Sequence, residues 1–320
     1  MIALTLDELN DAAAVVNAAM PRTPQFEWPL LSARLGFSTL VKHENHTPVG
    51  AFKIRGGFVY MDRLVRQDGR VPGLYSATRG NHGQSIALAG ARHGLAVTIV
   101  VPHGNSQGKN DAMRSLGARL VESGDDFQAA REHAQALCAA AGGHMVPSFH
   151  PWLVAGVATG SAELLSHGAP LDVVYVPIGM GSGACAMIAA RDALGLRTEV
   201  VGVVSSHARA YALSFAAGRV IESPTTTLLA DGMACRLPDA DALAALRAGL
   251  SRIVEVSDEE IAQAMRLMFE CTHQVAEGAG AAALAAAWQD RAQLGGRRVG
   301  IVHTGGNVDR AVFAQTLQGS

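Results

Sequence analysis

The amino-acid sequence predicts an α/β fold built on parallel sheets, for three reasons. Short apolar runs alternate with longer helical patterns along most of the 320 residues. The short runs are apolar almost throughout, which is typical of parallel strands that are buried on both faces. The composition, 49% hydrophobic with 35 glycines, excludes a disordered chain and supplies enough apolar surface for one large or two modest domains.

The individual elements follow from this periodicity. Strands are predicted at residues 39–43, 74–77, 97–101, 173–178, 200–204 and 299–303. Helices are predicted at residues 52–66, 81–93, 128–141, 182–194, 258–275 and 279–293. In such strand–helix units the crossovers are right-handed, and ligands bind where strands end and helices begin. Polar or glycine-rich loops occupy such positions at residues 44–57, 77–84, 177–184 and 303–309.

Charge and cysteine content favour a small-molecule ligand and a cytoplasmic location. Lys+Arg number 26 and Asp+Glu 28, so the formal net charge is −2, and without a basic block we expect no nucleic-acid or membrane binding. The longest apolar runs are too short to span a bilayer, and the N-terminus lacks the basic region of a secretory signal. Four separated cysteines without a CxxC pair predict buried thiols in a reducing compartment. They are Cys138, Cys185, Cys235 and Cys271.

The first loop carries a lysine suited to covalent chemistry. The chain has three lysines, Lys42, Lys53 and Lys109, so this residue type does not provide general surface charge. Lys53 lies beside Phe52 where a helix is predicted to begin, and a helix N-terminus lowers the pKa of an ammonium group. An accessible neutral amine can form a Schiff base. From this loop alone, a solvated helix residue is the simpler interpretation.

The third loop predicts a phosphate site. Its sequence, Gly179-Met180-Gly181-Ser182-Gly183, follows an apolar strand and begins a helix, where backbone amides and the helix dipole attract an anion. The G-x-G-x-G spacing differs from the dinucleotide pattern, and the next strand ends in two serines without an acid for a ribose. A phosphate monoester therefore fits better than NAD or ATP, and a tight packing turn is the alternative.

The second and fourth loops add polar groups at strand ends. Backbone amides together with Thr78 and Asn81 could hold a carboxylate at a helix start. Thr304 offers a hydroxyl at the end of the last strand. The alternative is that Asn81 and Asn307 cap helices and that the glycines serve turns.

Together these loops resemble the fold-type II pyridoxal-phosphate enzymes, specifically the serine/threonine dehydratase group. The matching segments are KHENHTPVGAFKIRGG at 42–57, ATRGNHGQ at 77–84, GMGSG at 179–183 and TGGNVD at 304–309. Matches follow the family's order from about residue 23 to about residue 313. The resemblance implies a tryptophan synthase β-like fold of two open parallel-sheet lobes, the smaller inserted in the larger. The large, cofactor-binding domain is expected at 1–72 and 151–320, and the small domain at 73–150.

The resemblance also implies a cofactor, pyridoxal 5′-phosphate, and roles for the matching residues. Lys53 is expected to form the Schiff base and, once the substrate displaces it, to remove the α-proton. The other expected cofactor contacts are Phe52 beside the ring, Asn81 at the 3′-oxygen, Thr304 at the pyridine nitrogen, and the backbone amides of Gly179, Met180, Gly181, Ser182 and Gly183 at the phosphate. The expected contacts of the substrate carboxylate are Thr78, Arg79, Gly80 and His82.

The implied function is a lyase that converts β-hydroxy-α-amino acids, with threonine and serine as default substrates, to 2-oxo acids and ammonia. Phenylserine and 3-hydroxyaspartate are alternative substrates, and a β-replacement synthase or a racemase is the alternative reaction. A catalytically inactive cofactor-binding protein is a third hypothesis, which the retained Lys53, Asn81 and glycine loop argue against. The family also implies a homodimer.

Two departures from the family pattern bear on the site. Arg79 stands where many members have a small hydroxyl residue, which in related racemases is the opposite-face base. It is expected to pair with the α-carboxylate, with a distal carboxylate or with an acid of the protein. The acidic metal ligands that some relatives carry after the strand at 200–204 are missing, so no required divalent cation is expected.

Overall fold

The structure, a computed structural model, describes residues 2–319 and places them in two parallel-sheet lobes. The strands are β1 Gln25–Glu27, β2 Ser38–His43, β3 Leu74–Ala77, β4 Val97–Val101, β5 Arg119–Glu122, β6 His144–Met145, β7 Val173–Pro177, β8 Glu199–Ser205, β9 Arg252–Val256 and β10 Arg298–His303. The helices are α1 Leu6–Asn17, α2 Pro29–Leu35, α3 Lys53–Asp68, α4 Asn81–Arg92, α5 Gln107–Ser115, α6 Phe127–Ala140, α7 Pro151–Leu165, α8 Ser182–Ala193, α9 Ala210–Ala217, α10 Ala240–Gly249, α11 Asp258–Thr272, α12 Gly278–Gln289 and α13 Arg310–Gln318. The predicted α/β fold is confirmed.

The larger sheet has the strand order β1-β2-β10-β7-β8-β9. Only the edge pairing of β1 with β2 is antiparallel among these six strands. Successive residues of β7 enter opposite cores: Val173 and Tyr175 pack with α11 and α12, whereas Val174 and Val176 pack with α7 and α8. Burial on both faces explains why the strand sequences are continuously apolar.

The smaller sheet has the order β5-β4-β3-β6, and all its pairings are parallel. Its strands lie between Leu74 and Met145, inside the segment that the sequence assigns to the small domain. Helices α3 and α7, which precede and follow that segment, pack against each other and contribute to the core beneath this sheet. The exact domain boundaries at 72 and 150 stay a prediction.

Each predicted strand and helix is present, with ends shifted by a few residues. The helix predicted to reach residue 275 ends at Thr272, because His273 adopts a left-handed conformation with φ of 54°. The helix predicted to reach residue 293 ends at Gln289. In the part of the chain that the structure describes, no helix is both long and apolar enough to cross a membrane.

Candidate active site

Four loops meet at the carboxyl ends of the strands and surround one cavity. The ends of β2, β10 and β7 lie side by side because these strands pair in parallel, and β3 brings its loop from the smaller sheet. The cavity has a volume of about 160 Å³. Its walls include every residue that the sequence assigned to cofactor or substrate: Phe52, Lys53, Thr78, Arg79, Gly80, Asn81, His82, Gly179, Met180, Gly181, Ser182, Gly183 and Thr304. Their individual roles remain predictions.

Lys53 is the first residue of α3, and its side chain reaches across to the glycine loop. Its Nζ donates a hydrogen bond of 2.8 Å to Ser182 Oγ and lies 4.9 Å from the centroid of the Phe52 ring. Ser85 on α4 donates a hydrogen bond of 2.8 Å to the Lys53 carbonyl, which fixes the backbone. Burial lowers the pKa of Lys53 to about 8, so the nucleophilic free amine is accessible near neutral pH.

The glycine loop runs from the end of β7 to the start of α8 and has the geometry of an anion site. Gly181, with φ of 94°, is the N-cap of α8, a left-handed conformation that favours glycine. A methyl group at Gly179 would overlap the carbonyl oxygen of Gly232. The first-turn amides of α8 have no carbonyl one turn earlier in the helix, so they are available to a phosphate.

Asn81 is held by two polar partners. Its Nδ2 donates a hydrogen bond of 2.6 Å to Glu277 Oε1, and its Oδ1 accepts one of 2.8 Å from Asn307 Nδ2. Asn307 also donates to the Val49 carbonyl at 2.8 Å. Asn307 therefore connects the loop at 303–309 with the loops that carry Val49 and Asn81. The sequence alone also allowed Asn307 to be a helix cap.

The loop after β3 presents both a neutral imidazole and a free cation. Thr78 Oγ1 accepts a hydrogen bond of 3.0 Å from the Gly80 amide. Burial lowers the pKa of His82 to about 3, so this ring is neutral. Arg79 is exposed at the cavity wall, and within residues 2–319 no acid lies at salt-bridge distance from it. The structure therefore does not support the alternative that Arg79 pairs with an acid of the protein.

A cluster of charged side chains also lines the cavity, and the sequence patterns assigned it no role. Lys109 Nζ lies 2.5 Å from Asp231 Oδ2 and 3.5 Å from Glu277 Oε2. Although burial disfavours its charge, Glu277 and Asp231 hold the pKa of Lys109 above its ordinary value. Burial raises the pKa of Glu277, and its Oε2 has no hydrogen-bond partner in the described chain. No spacing rule in the sequence connects Glu277 to Asn81, because the two residues are 196 positions apart and meet only in the fold.

Thr304 follows β10 directly and joins the last loop to the first. Its carbonyl accepts a hydrogen bond of 3.0 Å from the Phe52 amide, and the residue is buried in the cavity wall. Among residues 2–319, no three side chains of His, Cys, Asp or Glu cluster as a metal site.

These residues fit pyridoxal phosphate. The first-turn amides of α8 suit its phosphate, and the Lys53 amine suits its aldehyde. The aldehyde and the phosphate arm are carried by neighbouring carbons of the pyridine ring, so an amine next to the phosphate cradle is what the molecule requires. Gly183 lies directly beside the Phe52 ring, since a methyl group added to it would be in van der Waals contact with that ring at 3.6 Å.

Comparison with known proteins agrees with this geometry. A family model described as pyridoxal-phosphate dependent enzyme matches residues 16–305. The biosynthetic L-threonine dehydratase of Salmonella typhimurium is 33% identical over 299 residues, which cover 92% of this chain and 58% of that protein. An L-threo-3-hydroxyaspartate ammonia-lyase of a Pseudomonas species is 32% identical, with coverage of 96% and 97%. The solved structure of maize serine racemase superposes with a TM-score of 0.91 at 25% identity and covers 99% of this chain and 97% of that one.

Proposed function

This chain belongs to the pyridoxal-phosphate-dependent enzyme family, and on that premise we propose that it is a lyase. Its reaction dehydrates and deaminates β-hydroxy-α-amino acids of the threonine and serine type to 2-oxo acids and ammonia. The observation that carries the proposal is the Lys53 amine beside the phosphate cradle, 2.8 Å from Ser182 Oγ. The chain spans little more than half the length of the Salmonella relative. The proposed activity and substrates are therefore inferred from the residues of this site and not from the activity of that relative.

Different residues of the chain bind different parts of the cofactor. When bound, pyridoxal phosphate supplies an aldehyde that takes up the substrate amine and a conjugated ring that accepts electron density from the α-carbon. The amides of residues 179–183 hold its phosphate, and Phe52 packs beside its ring. Asn81, oriented by Glu277 and Asn307, binds the 3′-oxygen.

Thr304 provides a hydroxyl where many pyridoxal-phosphate enzymes use a carboxylate. A neutral hydroxyl would not stabilise a protonated ring nitrogen, so the bound ring would be a weaker electron sink. Prompt loss of a β-leaving group is then favoured over other outcomes.

Lys53 performs the proton transfers. As a free amine, its Nζ has a pKa that burial lowers to about 8, close to the operating pH that suits a general base. Lys53 Nζ takes the α-proton and holds it beside Ser182 Oγ. This proton is available to the departing β-hydroxyl, which leaves as water.

The loop after β3 orients the substrate carboxylate. The His82 amide lies in the first turn of α4. The Thr78 hydroxyl, which the Gly80 amide positions by a hydrogen bond, and the Arg79 guanidinium belong to the same loop. A free guanidinium forms a bidentate pair with a carboxylate. Because the ring of His82 is uncharged, it does not compete with the Arg79 guanidinium for the substrate carboxylate.

Several finer properties are part of the same proposal. We place the enzyme in the cytoplasm because all four cysteines are buried free thiols, as is typical of reducing compartments. We propose a homodimer from the family resemblance, and mass measurement in solution tests this. We also propose that no divalent cation is required; full activity after chelation agrees with this, and restoration of lost activity by Mg²⁺ contradicts it.

The test is product analysis with cofactor-loaded protein. The panel holds L-threonine, L-serine, their D-enantiomers, phenylserine and the 3-hydroxyaspartates, without added nucleophile. We expect equal amounts of 2-oxo acid and ammonia from at least one L-substrate. Conversion of L- to D-serine without 2-oxo acid would support a racemase, and no reaction at all with the cofactor still bound would contradict a lyase.

A further inference from the structure

A second cleft adjoins the catalytic cavity. It has a volume of about 270 Å³ and lies between α6, the segment at 145–149 and residues 237–239. Ala77, Phe127, Ser148 and Met180 belong to the walls of both spaces. These four residues therefore form the boundary between the cleft and the cavity that would hold the substrate.

The wall of this cleft is mostly apolar. Phe127 and Met145 are half-buried and pack with one side on the core of the smaller sheet. Phe149 and Met180 do the same on the core of the larger sheet. When an apolar group displaces water from between two apolar faces, the change in free energy is favourable.

The charged side chains of the cleft wall are Arg131 and Asp239, and neither is fully buried. Arg131 and Gln135 are one turn apart on α6, and both are exposed. Asp239 caps α10, where its Oδ1 accepts hydrogen bonds of 3.0 Å from the amides of Asp241 and Ala242. The apolar part of the wall thus offers no cation to a carboxylate, and burying an unpaired charge there would be costly.

We propose that this cleft is a subsite for an aromatic ring on the β-carbon of the substrate, so that the preferred substrate class is β-aryl-β-hydroxy-α-amino acids. The inference rests on the proposed function. A dry cavity of about 150 Å³ is enough to bind benzene, and the cleft exceeds that volume. The methyl group of threonine would leave most of the apolar wall in contact with water.

The test blocks the cleft without touching the catalytic cavity. Gln135 lines the cleft but not the catalytic cavity. Gln135→Trp therefore places an indole in the cleft, at an exposed position of α6. Ala136 is its exposed neighbour on α6 and lines neither space, so Ala136→Trp is the matched control. The cofactor-loaded proteins are assayed with L-threo-phenylserine and L-serine.

We expect wild-type kcat/KM for phenylserine to be at least tenfold higher than for serine. Gln135→Trp lowers the value for phenylserine at least tenfold and changes the value for serine less than twofold, and Ala136→Trp changes neither. Turnover of serine without turnover of phenylserine overturns the subsite and leaves the lyase intact. Equal loss for both substrates in Gln135→Trp also overturns it.

A binding measurement keeps the inference testable if neither substrate reacts, in which case the lyase proposal itself fails. L-Phenylalanine and L-alanine lack the β-hydroxyl, and calorimetry gives their Kd for the cofactor-loaded protein. We expect phenylalanine to bind at least tenfold more tightly than alanine, and Gln135→Trp to remove the difference. Equal Kd values in the wild type contradict the subsite.

Discussion

The three lysines of the chain differ in their surroundings, and this difference assigns the chemistry. Lys42 Nζ lies 2.6 Å from Glu163 Oε2, and Lys109 Nζ lies 2.5 Å from Asp231 Oδ2. Over residues 2–319, Lys53 has no carboxylate at salt-bridge distance, and its partner is the neutral Ser182 hydroxyl. Burial lowers the pKa of Lys42 as well, but its amine is engaged by Glu163, and acidic neighbours hold the pKa of Lys109 above its ordinary value. Only the Lys53 amine is both made easier to deprotonate by burial and free of a carboxylate partner within the described residues.

The first prediction concerns the pH at which Lys53 reacts. With a pKa lowered to about 8, about a tenth of the amine is unprotonated at pH 7, against less than ~0.1% for an ordinary lysine. The initial rate of pyridoxal phosphate attachment to cofactor-free protein should rise with pH and level off above about pH 9. Stopped-flow absorbance measures this rate, with Lys53→Arg as the control. A rate that keeps rising beyond pH 10 would contradict the assignment.

The second prediction concerns Arg79. If its guanidinium binds the substrate carboxylate, Arg79→Ala should lower kcat/KM at least tenfold, chiefly through KM, because a charge-assisted bidentate contact is worth about 1.5–3 kcal/mol. Arg114→Ala is the matched control, since Arg114 is a surface arginine of the smaller lobe whose side chain is 44% exposed. Unchanged kinetics for Arg79→Ala on every substrate would show that the contact is absent.

At the scale of single elements, the junction of β7 and α8 determines cofactor affinity. Gly179→Ala would place a methyl group against the Gly232 carbonyl, so the loop must move to accept it. We expect weaker pyridoxal phosphate binding, by at least tenfold in Kd, together with a lower Tm of the cofactor-free protein. Gly295→Ala, at a position with open space around it, should leave both quantities nearly unchanged. Equal effects of the two substitutions would refute the steric argument.

A buried ionic cluster joins the end of β2, α3 and α7, and its Arg55 follows Lys53 by two residues on α3. Arg55 is fully buried, and its guanidinium contacts Glu44 at 2.8 Å and Glu163 at 2.9 Å. Although burial disfavours its charge, Arg55 and Lys42 hold the pKa of Glu44 below its ordinary 4.5. This contribution of Glu44 to stability is therefore present above pH 4.5 and is lost as the pH falls below it.

The cluster leads to a stability prediction. Glu163→Ala leaves two buried cations with one carboxylate fewer, and removal of one partner from a buried pair costs about 3–5 kcal/mol. Urea denaturation should show this loss in the free energy of unfolding. Glu222→Ala is the control, because Glu222 and Arg236 form a surface pair with side chains 53% and 67% exposed, and such pairs contribute about 0–1 kcal/mol. A loss below about 1 kcal/mol for Glu163→Ala would contradict the role of the cluster.

Apolar sequence patterns predicted some of the helices and strands and not others. The buried strands and the helices beside the site were predictable because their apolar periodicity is set by burial on both sheet faces. The short edge strands β1, β5 and β6 were not, since sequences such as Gln25–Glu27 have an exposed face and little apolar signal. The edge strand β9 and the helices α1, α2, α5, α7, α9 and α10 were not predicted either. Helix α7 is buried without a break from Leu153 to Ser161, so it lacks the polar face that marks an amphipathic helix.

At the scale of the whole molecule, the two lobes are joined around the cavity by polar contacts. Lys109 of the smaller lobe pairs with Asp231 of the larger one, and Ser106 Oγ donates a hydrogen bond of 2.9 Å to Asp309 Oδ1. The sequence predicted which loops line the site, because each follows a strand end. It did not predict these pairings, since the paired residues are more than 100 positions apart and no local pattern connects them.

The central claim is that the assembled site removes the β-hydroxyl and releases the product unaided. The most direct measurement counts ammonia and 2-oxo acid in one reaction of cofactor-loaded protein with a β-hydroxy-L-amino acid, with and without excess thiol. Lys53→Ala, loaded with the same cofactor, is run beside it. We predict a 1:1 ratio of ammonia to 2-oxo acid, unaffected by thiol and reduced at least 1,000-fold in rate by the substitution. Thioether in place of 2-oxo acid, or full activity of Lys53→Ala, would contradict the account.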